Sequence, residues 1–290
     1  MTTEIVLTGT GVPHPRPGRA GAGTLVRYGD VALQIDAGRA TVLRLVEAGV
    51  EPRDLSALLV THVHSDHVVA LPDVAMTRWV QQQLGPTGPL VVVAPEGPAA
   101  RFVRRMLDPF DDDIAVRREH VGAGPVRVDL QPFAVPACPE QVWTSADGSV
   151  RVLAVAVHHE PVPDAVAYRI DTPDGAVVVS GDTRVCAEVE HLAAGADVLV
   201  HEACRASALA DLVAGTTFDT IFSYHADTVA LGASAARAGV PHLVLTHLIP
   251  PPDRPGDADA FARDVRDGGY DGRITVGRDL TRVTLGDDRS

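Results

Sequence analysis

The chain of 290 residues is 46% hydrophobic, enough for one large core, and carries a formal charge of −13. All 25 basic residues are arginine and no lysine occurs, which excludes a lysine base or Schiff base, and the acidic balance argues against gripping duplex or folded RNA along its backbone. No apolar run reaches the roughly 18 residues of a membrane span, no basic leader precedes the first strand, and three cysteines lack CxxC spacing, so the expectation is a single cytoplasmic domain over 1–290 with no membrane association.

Short β-rich runs alternate with Ala/Leu/Arg segments of helical period, the pattern of an α/β protein. In chain order the expected strands are 5–7, 24–28, 31–35, 57–61, 90–93, 126–130, 150–157, 166–170, 176–180, 198–201, 243–246 and 274–276. Helices are expected over 40–48, part of 66–83, 98–107, 185–193, 205–213, 227–238 and 257–267. The Pro/Gly-rich pieces 13–23, 85–89 and 250–256 read as loops.

The most specific signal is Thr61-His62-Val63-His64-Ser65-Asp66-His67, which follows the apolar run 57–60. In an extended chain residues i and i+2 point the same way, so His62 and His64 can grip one ion. Asp66 and His67, where the chain turns toward the next helix, are aimed at a second. Imidazole with carboxylate suits zinc, and also iron or manganese. Further candidates sit where strands are expected to end: His158 and His159, Asp182, His201 and Glu202, and His247. Active sites of α/β sheets gather at strand C-termini, so these can converge on the opening cluster.

With these motifs the chain resembles the metallo-β-lactamase superfamily, and within it the ribonuclease Z-like and arylsulfatase-like branch. The resemblance runs from Leu7-Thr8-Gly9-Thr10-Gly11 and Asp36-Ala37-Gly38 through the histidine cluster. It continues with His159 nine residues before Tyr168, then Ser180-Gly181-Asp182-Thr183, His201-Glu202-Ala203, His225-Ala226-Asp227-Thr228 and Thr246-His247. It implies a four-layer αβ/βα sandwich with two metal ions, Zn2+ with Mn2+ or Fe2+ as substitutes. His62, His64 and His159 would hold the first, Asp66, His67 and His247 the second, and Asp182 would bridge them. The nucleophile it implies is a metal-bridging hydroxide. Glu202 and His225 resemble the branch's leaving-group pair, in which the carboxylate orients an imidazole that donates to the departing oxygen, and Asp66 is a candidate proton acceptor as well as a ligand. His158 stands where the family usually has a carboxylate and rivals His159 as ligand. Arg184 is a candidate for steering an anion. His14, His120, His191 and His242 read as structural or surface, and Cys186 and Cys204 as buried residues near the site.

Ribonuclease Z enzymes of that branch clamp tRNA with a Gly/Pro-rich arm inserted between the residues matching His159 and Asp182. Only 23 positions separate these here, so the arm is missing. The expectation is therefore weak or absent tRNA binding and hydrolysis of a small-molecule ester, a phosphodiester or aryl sulfate first, a lactone or thioester next. A tRNA 3′-processing endonuclease and a non-catalytic metal-binding sensor are the alternatives. Trp79, Phe102, Phe110, Phe133 and Trp143, in 72–145, are candidates to line an apolar substrate cleft, and the Arg-rich helix 101–107 is a candidate homodimer surface.

Overall fold

In the computed structural model, which describes residues 1–286, the alternation of apolar residues resolves into two sheets packed face to face. The chain begins with β1 (Glu4–Gly9), β2 (Gly23–Tyr28), β3 (Val31–Ile35), α1 (Thr41–Glu47), β4 (Ala57–Leu59), α2 (Ser65–Val68) and α3 (Leu71–Gln81). It continues with β5 (Leu90–Pro95), α4 (Pro98–Arg105), α5 (Asp111–Val121), β6 (Val128–Phe133), β7 (Glu140–Thr144), β8 (Arg151–Ala156), β9 (Val166–Thr172), β10 (Gly175–Val179) and α6 (Ala187–Ala193). The remainder is β11 (Val198–Cys204), α7 (Ala206–Val213), α8 (Thr217–Ser223), α9 (Thr228–Ala238), β12 (His242–Ile249), α10 (Asp257–Asp267), β13 (Arg273–Val276) and β14 (Arg282–Thr284).

Among the described residues the sheet orders are β14-β1-β2-β3-β4-β5-β6 and β13-β12-β11-β10-β9-β8-β7. Each sheet is antiparallel in one half and parallel in the other, from β3 to β6 and from β10 to β13. Side chains of period 2 sort between layers: Leu59, Val177 and Val200 fill the space between the sheets. Their neighbours Leu58 and Val178 face outward instead, Leu58 under α1, α3 and α4 and Val178 under α6, α9 and α10. This is the four-layer αβ/βα sandwich. No helix among the described residues is long and apolar enough to cross a membrane.

Two bonds between the sheets set the registry on which the site depends. Tyr168 donates its buried hydroxyl to Val60 O at 2.6 Å, and Val166 N–H donates to Thr61 O at 3.0 Å. They pin β9 to the chain leaving β4, and so hold the His159 loop opposite His62.

Several boundaries differ from the sequence reading, each for a local reason. The strand expected over 57–61 leaves the sheet earlier, because Thr61 N–H goes to the Asp36 carboxylate. The expected helix 66–83 is two pieces, α2 and α3. Asp227 caps α9, accepting from Val229 N and Ala230 N, so that helix begins one residue later than expected. The strand expected at 126–130 is Val128–Phe133. Helices α5 and α8 and strands β7 and β14 were not anticipated; α5 buries none of its side chains and so has no apolar period to read.

Candidate metal centre and active site

The parallel halves of the two sheets direct their C-terminal ends to one place. Asp36 follows β3, residues 61–67 follow β4, and Asp182 follows β10. Glu202 and His247 do not lie beyond strand ends as expected, since β11 and β12 run through them. Glu202 pairs with Thr246 but Ala203 pairs with Leu248, which leaves His247 as the extra residue of a bulge, at φ 43°. A bulge re-aims a side chain, and this left-handed residue turns its imidazole into the site. Gly38 permits the close approach of the other wall: a Cβ there would lie 2.2 Å from Asp66 O. Gly181, at φ 61°, makes the turn before Asp182.

Asp36 fixes the tautomers of two histidines. Thr61 donates its only hydroxyl proton to Asp36 Oδ2 at 2.7 Å, so toward His62 Nδ1, 3.0 Å away, it acts as acceptor. His62 therefore carries its proton on Nδ1 and presents a bare Nε2, fully buried and without a partner. His67 Nδ1 is bonded to the same Asp36 oxygen at 2.7 Å, and its Nε2 is likewise unpartnered. A carboxylate behind a metal-binding imidazole is the usual means of orienting it. His159 uses a backbone group instead, donating from Nδ1 to Tyr224 O at 3.3 Å.

These nitrogens converge. His159 Nε2 lies 3.1 Å from His64 Nδ1, close to the ~3.3 Å expected of two imidazoles sharing one tetrahedral ion at about 2.0–2.1 Å each. Asp182 Oδ2 lies 3.3 Å from both His67 Nε2 and His247 Nε2, 3.8 Å from His159 Nε2 and 3.9 Å from His62 Nε2. Its other oxygen is buried without a partner. Asp66 Oδ2 lies 3.3 Å from His247 Nε2 and 3.7 Å from His67 Nε2. The donors thus fall into a His62, His64, His159, Asp182 group and an Asp66, His67, His247 group. His247 Nδ1 is buried with no hydrogen-bond partner.

The electrostatics suit cations. Burial pulls His67 downward, but Asp182, Asp36 and Asp66 together raise it well above the ordinary range. Burial pushes Asp182 upward, yet His247, His67 and His62 hold it well below the carboxylate range. Burial drives His62 well below, keeping its ring neutral as ligation requires. The buried carboxylates Asp66 and Asp182 beside the neutral His62 ring form a donor set that divalent cations would satisfy.

Beside this cluster, His225 Nδ1 contacts both oxygens of the fully buried Glu202 at 2.9 Å, and Glu202 Oε1 also accepts from Thr183 N at 2.7 Å. Burial lowers His225, but the charge and hydrogen bonds of Glu202, with Asp182, push it up to about 9. Glu202 is engaged on both oxygens, which suits an orienting role better than ligation.

A cavity of about 230 Å3 opens over His64, Asp66, Asp182, His225 and His247. Its outer wall is Phe218, Ile221, Phe222 and Tyr224, from α8 and the turn after it, with Val12, Pro13 and His14 opposite. His14, read as structural or surface, is exposed at this mouth, its ring centroid 6.4 Å from that of Phe218. The aromatic residues expected from 72–145 do not form one cleft over the donor cluster. Phe133 and Trp143 pack against the core between the sheets, Trp79 is buried beside α5, and Phe102 and Phe110 line a separate groove. His158 turns outward to Glu188 at 3.3 Å, and Arg184 pairs with Glu160 at 3.3 Å, so neither joins the cluster. Cys186 and Cys204 are buried free thiols outside the donor groups. The orienting role of Asp36 is not legible in its Asp-Ala-Gly motif, because its partners His67 and Thr61 lie 31 and 25 positions away. The α8 wall carried no readable signal.

A family description, the beta-lactamase superfamily domain, matches residues 34–248. A Mycobacterium bovis protein named ribonuclease Z is 38% identical over 284 residues, covering 97% of this chain and 98% of its own length. In structure the chain is similar to the metallo-beta-lactamase fold protein YhfI of Bacillus subtilis, with a TM-score of 0.76, 20% identity and coverage of 98% and 100%. It is also similar to the short form of human tRNase Z, with a TM-score of 0.66, 19% identity and coverage of 97% and 99%. The expectation that placed a small ester ahead of RNA rested partly on the missing arm. The M. bovis match, nearly complete in both directions, leaves no room for an arm-length insertion in that relative either, so the arm does not separate the two, and the expectation of weak tRNA binding loses its main support. The chain belongs to the beta-lactamase superfamily, with the metallo-β-lactamase fold and relatives named ribonuclease Z.

Proposed function

We propose that the chain, as one domain over 1–290, is a metal-dependent phosphodiesterase that cleaves RNA in the manner its ribonuclease Z relatives' name describes. The observation that carries this reading is the Glu202–His225 pair set against a seven-residue donor cluster. A hydrolytic metal pocket alone fits many esters; an oriented imidazole at its edge supplies the acid that a poor alkoxide leaving group needs.

In this reading His62, His64 and His159 would hold one ion and Asp66, His67 and His247 a second, with Asp182 placed to serve both. Zinc fits the donors best, with manganese or iron as substitutes. Bound there, two divalent ions would supply Lewis acidity to the phosphoryl oxygens and lower the pKa of water. The protein's own groups do the rest. Asp66 accepts the proton of the attacking water, whose oxygen forms the new bond to phosphorus. The bond from phosphorus to the leaving ribose oxygen breaks, and the protonated His225 delivers its proton there. Glu202 holds the imidazolium in place and stabilises its charge. The three free cysteines suit a reducing compartment such as the cytoplasm.

A second reading, hydrolysis of a small phosphodiester, is favoured by the cavity itself. It holds about 230 Å3, its wall is apolar, and no arginine lines it among the described residues. The test is elemental analysis followed by turnover. Two ions per chain are expected, with cleavage of a 3′-extended tRNA precursor and of bis(p-nitrophenyl) phosphate; His225→Ala should lose the precursor, whose ribose oxygen needs a proton, far more than the reporter, whose nitrophenolate leaves without one. Cleavage of the reporter without the precursor would favour the second reading, and a metal-loaded protein inactive on both would leave only a binding scaffold.

A further inference from the structure

We propose that the groove between α2, the start of α3 and α4 binds a single-stranded polynucleotide segment continuous with the scissile bond. This rests on the phosphodiesterase reading above and extends it beyond the metal cavity. The groove, about 640 Å3, begins at Ser65, which the chain places between His64 and Asp66. It runs outward over the buried Val68 toward the half-buried rings of Phe102 and Phe110.

Helix α4 is built for two jobs. Ala99, Ala100 and Val103 face the sheet, while Arg101 and Arg105 stand exposed along the groove, one turn and about 6 Å apart. Arg104 is engaged by both oxygens of Glu96 at 2.9 Å and is not available. Arg101 forms no ion pair among the described residues. Arg105 meets Asp108 only at 3.6 Å, with 82% of its side chain exposed, a contact that solvent screens and a phosphate can replace. Two aromatic rings and two spaced cations lining one groove match a base-and-phosphate repeat in which each base offers a π-face. Two arginines on a chain of net charge −13 do not make a duplex footprint, which points to a single strand. Adjacency selects this occupant over an acidic peptide or a second copy of the chain: a groove whose inner end is Ser65, flanked by the donors His64 and Asp66, is within reach of the flank of a substrate held at the cluster.

The test is binding, read without turnover. Fluorescein-labelled single-stranded RNA of eight nucleotides is titrated by anisotropy against the metal-loaded wild type and an Arg101→Ala/Arg105→Ala double variant, at several salt concentrations. The variant is expected to bind at least tenfold more weakly. Its log–log salt slope should be shallower by about 1.4, from about 0.7 per phosphate released at two sites. The Arg101→Lys/Arg105→Lys pair should restore the slope. Equal affinity and slope in wild type and alanine variant would overturn the proposal, as would competition by an acidic peptide as strong as that by unlabelled RNA. Sedimentation showing that the alanine pair dissociates a wild-type dimer would also overturn it, by covering the groove with a second copy. Failure of the metal-loaded wild type to hydrolyse both bis(p-nitrophenyl) phosphate and a 3′-extended tRNA precursor would refute the phosphodiesterase reading and leave the binding result to stand by itself.

Discussion

Replacing Glu202 by Gln keeps the shape beside His225 and removes its charge. In the native site His225 is pushed up to about 9, against an ordinary value near 6.5. Burial is the largest single influence and acts downward, so without the Glu202 charge the ring falls to 6.5 or below. At pH 8 a group of pKa 9 is about nine-tenths protonated, and one of pKa 6.5 about one-thirtieth. With His225 as the proton donor to the leaving group, kcat/KM would therefore fall about 30-fold at pH 8 and only about 1.1-fold at pH 5.5. The assay is a pH–rate profile of phosphodiester hydrolysis on metal-loaded protein, with metal content measured for each variant. The wild-type alkaline limb should fall at or below pH 9, since any nearby cation favours the neutral ring, and it should move down by two units or more in Glu202→Gln. A defect independent of pH, or an alkaline limb that stays in place, would refute the assignment of His225 as the acid held by Glu202.

The same pair makes a stability prediction for metal-free protein. The folded value lies above the unfolded one, so the stabilisation is fully present below pH 6.5 and is lost as the pH rises through 9; its ceiling is about 3 kcal/mol, read as the difference in denaturation midpoints between wild type and Glu202→Gln. Asp36→Asn removes the charged acceptor that holds both His67 and Thr61, and metal affinity measured by chelator competition should fall 10- to 100-fold, as is usual when a ligand's orienting partner is lost. Stripping metal leaves Asp66 and Asp182 buried without cations. If free metal stands near a thousand times its dissociation constant, the loss is about 4 kcal/mol and Tm should drop by roughly 10 °C in calorimetry. Asp279→Ala cuts the acceptor for Thr10 N, Thr10 Oγ1 and Ala20 N that holds both ends of the loop carrying His14, so KM should rise while kcat for the small reporter stays within about threefold.

What could be read from the sequence, and what could not, divides along a physical line. Metal donors must lie within a few ångströms of one another, and His62, His64, Asp66 and His67 meet that requirement within six consecutive positions, so spacing alone exposes them. His159, Asp182 and His247 are legible because each stands within three residues of the end of an apolar run. The groups that orient these donors follow no such rule. Asp36 reaches His67 across 31 positions, and His159 leans on a backbone carbonyl that any residue at 224 would offer. His247 shows the same limit inside a strand: apolar alternation stops at Thr246, while hydrogen bonding continues to Ile249 past a bulge at the functional residue. Substrate-facing surfaces are harder still. Helix α8 buries only Phe222, and α5 buries nothing, so neither leaves the 3.6-residue stripe that packing imposes. The aromatic residues of 72–145 divide between the core, as Phe133 and Trp143 do, and a groove lined by Phe102 and Phe110, since the same rings serve packing and recognition. The chemistry of this centre is therefore fixed by residues the sequence displays openly, whereas the choice between a long RNA and a small diester is made on the α8 wall and the α4 groove, where binding and not packing selects the side chains.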